Sequence, residues 1–263
     1  MERILRLATP FIIYLVAEVI FSLVILGTAL GVISGTTSVD AGVKTVVDMP
    51  MMLFGACTVI FLFLWMKDRE QDGYEGNEMS KPMWLVLPVI GLVFALGEIY
   101  AVRGMLNREL SEVFFGVSEY AMEAFKQLPT FFLAIVILRP VCFEFLLRGM
   151  FHQRLREESG PIPTIVIVGI ASILLYRSVD LVLMSVILSI VYEYYRNLAA
   201  PLIVSVSYSI GCFMFYAMSG SLPGLSGDMN LLVPLMMLIC VAGVGFCVFM
   251  IFRKHNNPYG SKW

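Results

Sequence analysis

Ionisable side chains occur inside a long apolar stretch of this sequence, where they are costly and therefore informative. Glu144 and Arg148 lie four residues apart within VCFEFLLRGMFHQRL, and Arg139 precedes them. Residues at this spacing share one face of a helix, so the glutamate and the arginine can form an ion pair. A carboxylate can act as a general base. When an arginine neutralises it, however, a structural role is favoured.

Further polar residues recur at helical spacing in the segments that follow. They are Ser185, Ser189 and Glu193 on one segment, and Ser205, Ser209 and Cys212 on the next. Each stripe by itself favours helix packing, because small residues let membrane helices approach closely. Arg177 and Asp180 form a second possible ion pair. Because consecutive segments each carry a polar face, together they predict a central polar cavity.

The composition places these residues in a membrane protein. Of the 263 residues, 59% are hydrophobic and 14% are charged, and the mean hydropathy is +0.86. A soluble domain is roughly 45–50% apolar and about 25% charged, so a water-soluble globule and a disordered chain are both excluded. The net charge of −2 gives no electrostatic reason to expect nucleic-acid binding. All five cysteines lie in apolar runs, which predicts small buried side chains.

Hydropathy predicts an all-α polytopic bundle with about eight transmembrane helices and one amphipathic interfacial helix, because about 20 apolar residues span a bilayer. The predicted spans are Thr9–Ile33, Pro50–Met66, Trp84–Val102, Thr130–Leu155, Ile162–Leu175, Leu181–Tyr195, Ala199–Met218 and Leu231–Phe252. A polar loop is predicted over Lys67–Lys81. The segment Glu109–Leu128 has an acidic and an apolar face, which predicts a helix at the membrane surface or one packed flat over the bundle. Glu18 and Glu98 are isolated acids to which we assign no role.

The distribution of Lys and Arg predicts that both termini lie in the cytoplasm. With eight helices and a cytoplasmic N-terminus, eleven of these residues, including Arg6, Lys67 and Arg154, fall on the cytoplasmic side. Five, including Lys44, fall on the other side. Cytoplasmic loops of membrane proteins carry such an excess.

Three motifs resemble those of the CAAX protease and bacteriocin-processing family, also called Abi, which consists of intramembrane metalloproteases. Val141–Leu155 resembles the first motif, in which two adjacent glutamates are followed by three residues and Arg-Gly. Ser172–Asp180 resembles the second, in which an aromatic residue, three others and a histidine follow in turn. Tyr194–Ser209 resembles the third, in which a polar turn and a proline-containing helix start precede His, three residues and Asn.

The motifs agree in order and spacing across about residues 128–215, and they suggest three regions. Residues 1–128 hold the first three helices and the amphipathic helix. Residues 129–218 form the core that resembles the family, with four helices. Residues 219–263 hold the last helix and a cytoplasmic tail.

Several family positions carry other residues in this chain. They are Phe143 for the first glutamate, Asp180 for the second-motif histidine, and Ser205 and Ser209 for the third-motif histidine and asparagine. The matching positions are Glu144, Arg148, Gly149 and Tyr176. The resemblance implies that the missing residues activate water, stabilise the oxyanion or bind a metal, and that the Glu-Arg pair is structural. We therefore expect no catalytic residue, no metal and no other cofactor.

The chemistry of the remaining residues points in the same direction. Phenylalanine can act neither as a base nor as a ligand, and zinc sites draw on His, Cys and carboxylates. The chain has two histidines: we place His152 in the loop just after the fourth helix and His255 in the tail, so we expect neither to replace those that are missing. Glu144, Asp180 and Glu193 are an alternative carboxylate site, although the first two have arginines nearby.

The favoured prediction is a protein of the bacterial cell membrane that keeps the family fold without catalysis. It would bind a transmembrane helix or a peptide of another membrane protein. One alternative is an active, divergent intramembrane CAAX-type endopeptidase that uses Glu144 and Asp180. Another is a small transporter, because polar helix faces can line a pathway, although the chain lacks two halves with matching interrupted helices.

Overall fold

All secondary structure in the described part of the chain is helical, which confirms the all-α class. A computed structural model describes residues 2–72, 83–101, 129–176 and 181–219. The helices are α1 (Glu2–Ile33), α2 (Val39–Asp72), α3 (Met83–Ala101), α4 (Pro129–Ser159), α5 (Pro161–Tyr176), α6 (Val182–Tyr195) and α7 (Ala199–Ser219). The calls that lie outside the described residues are the amphipathic helix at Glu109–Leu128, the pair Arg177 and Asp180, the eighth span Leu231–Phe252, and His255.

Three of these helices are long and apolar enough to cross a membrane. Their candidate spans are Leu5–Ile33, Lys44–Asp68 and Pro129–Ser159, and the other helices contain shorter apolar stretches. Large apolar side chains face outward: Leu23 is 61% exposed, Phe63 68% and Leu85 76%. Such surfaces are stable against lipid rather than water, so the chain is a membrane helix bundle.

The predicted ends of the second helix are wrong. Hydropathy predicts Pro50–Met66 followed by a loop, whereas α2 extends from Val39 to Asp72. A hydropathy window detects only the part of a helix that hydrocarbon surrounds. The flanking turns are polar, and water can satisfy their side chains while the backbone hydrogen bonds continue.

The helices α1, α2 and α4 form one of two compact units, here called unit 1. Edge-to-face aromatic pairs join α4 to both of its neighbours in this unit. The ring of Phe151 lies 4.9 Å from that of Phe11 on α1, and the ring of Phe145 lies 5.8 Å from that of Trp65 on α2. Such pairs add to packing energy because the positive edge of one ring meets the negative face of the other.

Helix α4 does not keep α-helical geometry along its length. Phe132–Leu138 and Phe145–His152 are π-helical, and the α-helical segment Arg139–Glu144 separates them. Proline at 140 lacks an amide hydrogen, which disturbs the hydrogen-bond ladder near the first π segment. A π-helix holds about 4.4 residues per turn, so side chains four apart stay close to one face.

The helices α3, α5, α6 and α7 form unit 2, in which α3 packs closely along α7. Glycines allow this approach. A Cβ at Gly91 on α3 would collide with the carbonyl oxygen of Val204, and a Cβ at Gly211 on α7 would lie 2.8 Å from the Cβ of Ala95. Small residues at the contact let the two backbones meet, which is a common arrangement between membrane helices.

Candidate functional site

A fully buried ion pair lies on α4, in unit 1. Nη1 of Arg148 donates to Oε1 of Glu144 over 3.0 Å, and both side chains are 0% exposed. The spacing of four residues allows this pair, and the structure contains it. A buried carboxylate and guanidinium without each other would each carry a large desolvation cost. In this pair, the positive charge of Arg148 balances the negative charge of Glu144.

The prediction that His152 lies in a loop is wrong, whereas the predicted span Thr130–Leu155, which includes this residue, is helical throughout. Instead of lying in a loop, His152 ends the second π segment of α4, the helix continues to Ser159, and the side chain is 0% exposed. The polar and charged turn after it stays helical because it lies at the end of the hydrophobic span, where water can solvate it. Glu144, Arg148 and His152 are spaced by four residues, so the sequence already contained the signal for a three-residue polar face.

Gln153 extends this buried polar face. It is 7% exposed, and its Nε2 has no hydrogen-bond partner among the described residues. Four polar residues of α4 are thus buried in unit 1: Glu144, Arg148, His152 and Gln153. The sequence reasoning identified the first two and missed the last two.

Phe143 is the centre of an aromatic cluster in unit 1. Its side chain is 0% exposed and makes edge-to-face contacts with Tyr14 on α1 at 5.5 Å and with Phe54 on α2 at 5.8 Å. The guanidinium carbon of Arg139 lies 5.6 Å from the centre of its ring, within the range of a cation–π contact. The position at which the family motif has a glutamate therefore joins three helices by apolar contacts.

The cysteines of unit 1 also lie in this interior. Cys57 on α2 and Cys142 on α4 are both 0% exposed. This agrees with the prediction of small buried side chains for the described cysteines, and Cys240 and Cys247 lie outside the described residues. Cys212 on α7, in unit 2, is also buried.

In unit 2, the polar stripe of α6 faces the interior. Ser185 and Ser189 are 1% and 0% exposed, and Glu193 is 8% exposed. The hydroxyl of Ser189 donates to the carbonyl oxygen of Ser185 over 2.9 Å, so its own helix satisfies it. This hydrogen bond favours the packing interpretation of the stripe.

The other unit 2 positions that resemble the second and third motifs lie on α5 and α7. Ser205 is buried, whereas Ser209 and Tyr176 are half-buried. A tight turn precedes α7: Arg196 has φ of 47°, and Oδ1 of Asn197 accepts a hydrogen bond from the amide of Ala199 at 2.9 Å. An asparagine side chain commonly stabilises such a turn two residues ahead.

The family-equivalent residues of unit 1 do not fit a metal. Phe143 offers no donor atom, and Oε1 of Glu144 accepts from Arg148. Among residues 2–72, 83–101, 129–176 and 181–219, no group of three or more His, Cys, Asp or Glu residues is arranged to hold a metal ion. Asp180, which the carboxylate alternative requires, lies outside these ranges. The expected loss of the metal site stays a prediction.

Comparison with known proteins adds to this geometry. Comparisons with curated proteins and with solved structures give no match. A family model described as type II CAAX prenyl endopeptidase Rce1-like matches residues 125–211, a segment that contains all three motifs. This agrees with the resemblance that the motifs predicted, since the Rce1-like endopeptidases belong to the same CAAX protease group. The motif-bearing part of this membrane helix bundle is therefore similar in sequence to the Rce1-like CAAX prenyl endopeptidases.

Proposed function

We propose that this protein is a CAAX-protease-like membrane protein that does not hydrolyse peptides and that acts by binding. The observation that carries the proposal is the burial of Phe143 among Tyr14, Phe54 and Arg139. The resemblance assigns the equivalent glutamate to water activation. Phenylalanine has no proton to exchange and no lone pair to offer, so this position provides no general base.

The neighbouring glutamate is a poor substitute. Glu144 is fully buried, and its Oε1 already accepts a hydrogen bond from Arg148. A general base must reach the water whose proton it abstracts. Pairing and complete burial both oppose that role, and they support the assignment of the pair to structure.

The proposed ligand is a membrane-embedded helix or a prenylated peptide of another protein. The matched family model is named for enzymes that cleave prenylated CAAX proteins, so a chain that keeps the scaffold can keep affinity for such a lipidated segment. We also propose that both termini lie in the cytoplasm, which the Lys and Arg distribution supports, and that the membrane is that of a bacterial cell.

A cleavage and binding assay tests this function. The full chain in nanodiscs is mixed with a farnesylated CAAX-type peptide that carries a photo-crosslinker, with an active family member as the positive control. We expect saturable crosslinking and no cleavage above the rate without protein. Turnover that disappears in Glu144→Gln would overturn the proposal, provided that this variant remains monodisperse and helical. If the peptide is neither crosslinked nor cleaved, the proposed binding role is rejected.

A divergent endopeptidase is the second candidate, and His152 is the observation that favours it. This histidine lies on the same helical face as Glu144 and is fully buried, so the chain does contain a histidine inside a candidate membrane span. The same assay distinguishes the candidates through Asp180→Asn and His152→Asn, with His255→Asn as the matched control. Activity that both site variants abolish and the control retains would establish the enzyme. Activity in all three variants would reject this site.

A further inference from the structure

A short turn joins helices α6 and α7 of unit 2. The apolar stretch of α6 ends at Tyr195 and that of α7 begins at Ala199, with Arg196, Asn197 and Leu198 between them. Backbone groups outside a helix are stable in water or among lipid headgroups, but not in contact with hydrocarbon. The turn therefore lies at the surface of the membrane.

Arg196 supplies the positive charge of this turn. Among the residues of unit 2 that the structure describes, it is the only Lys or Arg, and its side chain is exposed. Within the same described residues, its guanidinium has no ion-pair partner. The nearest acid along the chain, Glu193, is buried. The charge of Arg196 therefore faces the surroundings of the protein and not its interior.

The backbone of Arg196 has a conformation that suits a residue without a side chain. Its φ of 47° and ψ of 35° are left-handed, and its amide donates to the carbonyl oxygen of Tyr192 over 2.7 Å, which ends α6. Glycine commonly occupies this position after a helix, because a Cβ makes the left-handed conformation costly. The turn thus has no steric need for a long side chain, and a contact outside the protein accounts for the arginine.

Aromatic and apolar side chains lie near the turn. The rings of Tyr194 and Tyr195 form an edge-to-face pair at 4.8 Å, and tyrosines are enriched at the level of lipid headgroups. Helices α5 and α6 pack together and a short connection joins them, so they run antiparallel and α5 begins near the turn. There Ile162 and Val166 are 53% and 52% exposed. An acyl chain can lie along α5 while its headgroup meets the guanidinium.

We propose that Arg196 binds the phosphate of an anionic phospholipid, such as phosphatidylglycerol, at the turn between α6 and α7. The planar guanidinium donates parallel hydrogen bonds to two phosphate oxygens. A headgroup that carries its own ammonium has no net negative charge to attract this arginine, so the anionic lipid is preferred. The surface belongs to unit 2 and involves neither Phe143 nor Glu144, so it stands or falls independently of the proposed function.

Native mass spectrometry of the full chain measures the bound lipid. The protein is released from nanodiscs of phosphatidylglycerol or phosphatidylcholine with identical acyl chains, and the tightly held lipids are counted. We expect Arg196→Gly to weaken retention of phosphatidylglycerol about fivefold, the effect of one arginine at an anionic surface, and to change retention of phosphatidylcholine little. Arg196→Lys should keep most of the binding. If Arg196→Gly retains phosphatidylglycerol as the unmodified protein does, or loses both lipids equally, the proposal is wrong.

Two further variants separate the site from a general effect of charge. Arg196→Asn lacks the charge and tolerates the left-handed conformation, so it should behave as Arg196→Gly does. Lys44→Gln removes a positive charge from an exposed position of α2, in unit 1, and should leave lipid retention unchanged. If Lys44→Gln weakens retention as much as Arg196→Gly, the effect reflects net charge and the site is rejected.

Thermal unfolding in a detergent without phospholipid separates lipid binding from a structural role. Glycine fits the left-handed conformation, so the midpoint of Arg196→Gly should stay the same or rise. A cation at the end of a helix can also stabilise the helix dipole. A lower midpoint with unchanged lipid retention would assign the arginine to that structural role and overturn the proposal.

A soluble competitor distinguishes a lipid from a free phosphate ester. Glycerophosphoglycerol has the same charge as the lipid but no acyl chains, so we expect it to displace phosphatidylglycerol only weakly. If it displaces the lipid as well as a short-chain phosphatidylglycerol does, the assignment to a membrane lipid is wrong.

Discussion

At the scale of single residues, Phe143 and Glu144 are neighbours in sequence with opposite surroundings. Phe143 lies in an aromatic cluster, whereas Glu144 is bonded to Arg148, and both are fully buried. Consecutive residues of a helix point in directions about 100° apart, so one can meet α1 and α2 while the next contacts its own helix. One part of α4 therefore contains an apolar contact and an ionic contact side by side.

Removal of the Phe143 ring is expected to destabilise unit 1. Phe143→Ala opens a cavity and removes three ring contacts, so we expect the free energy of unfolding to fall by about 3 kcal/mol, measured by reversible unfolding in micelles. Phe63→Ala is the matched control, because Phe63 is 68% exposed on α2. Equal effects of the two changes would contradict a packing role for Phe143.

The loss of one partner of the buried ion pair should lower the free energy of unfolding more than the replacement of both partners does. Glu144→Leu and Arg148→Met each leave one buried charge without its partner, and each is expected to lower the free energy of unfolding by about 3–5 kcal/mol. The double variant removes both charges and should lose much less than the sum. A double-mutant cycle measures this coupling, and strictly additive losses would show that the pair does not act as a unit.

At the scale of helices, close packing depends on where side chains are small. Gly91 lets α3 approach the backbone of α7 in unit 2, whereas Gly55 on α2 has open space where a Cβ would lie. The same residue type therefore has different roles in different helices. Hydropathy treats both glycines alike because it contains no information about the neighbouring helix.

The two glycines provide a direct comparison. Gly91→Ala places a Cβ against the carbonyl oxygen of Val204, so we expect a loss of stability of about 1–3 kcal/mol, as for other overpacked contacts. Gly55→Ala should be neutral or stabilise the protein slightly, since alanine favours helix. Thermal unfolding of both variants in the same detergent measures the difference. An unchanged midpoint for Gly91→Ala would show that α3 and α7 are not in close contact.

At the scale of the whole molecule, the membrane spans and the contacts of Arg154 with Asp68 and Arg6 bear on how the protein is oriented in the membrane. Arg6 and Arg154, which the charge distribution assigns to one side of the membrane, line the same cavity. Their shared position agrees with the predicted grouping. The assignment of that side to the cytoplasm stays a prediction.

Labelling at the two ends of the α2 span tests the orientation. Lys44→Cys and Lys67→Cys place exposed thiols at opposite ends of this span, and unmodified protein controls for the native cysteines. In intact cells, a membrane-impermeant maleimide should label position 44 and not position 67, because the excess of Lys and Arg predicts that position 67 is cytoplasmic. The reverse pattern would invert the topology.

The sequence by itself determined the membrane class, the apolar central part of each described helix, the Glu144–Arg148 pair and the resemblance to CAAX proteases. These follow from local quantities: runs of apolar residues, a spacing of four and short motifs. Only the tertiary structure decided that His152 is buried within α4 and that Phe143 contacts Tyr14 and Phe54. It also decided that Arg6, Asp68 and Arg154 meet. The reason is that burial and contacts between distant residues depend on which helices are neighbours, and helix packing decides this rather than the hydropathy of any one segment.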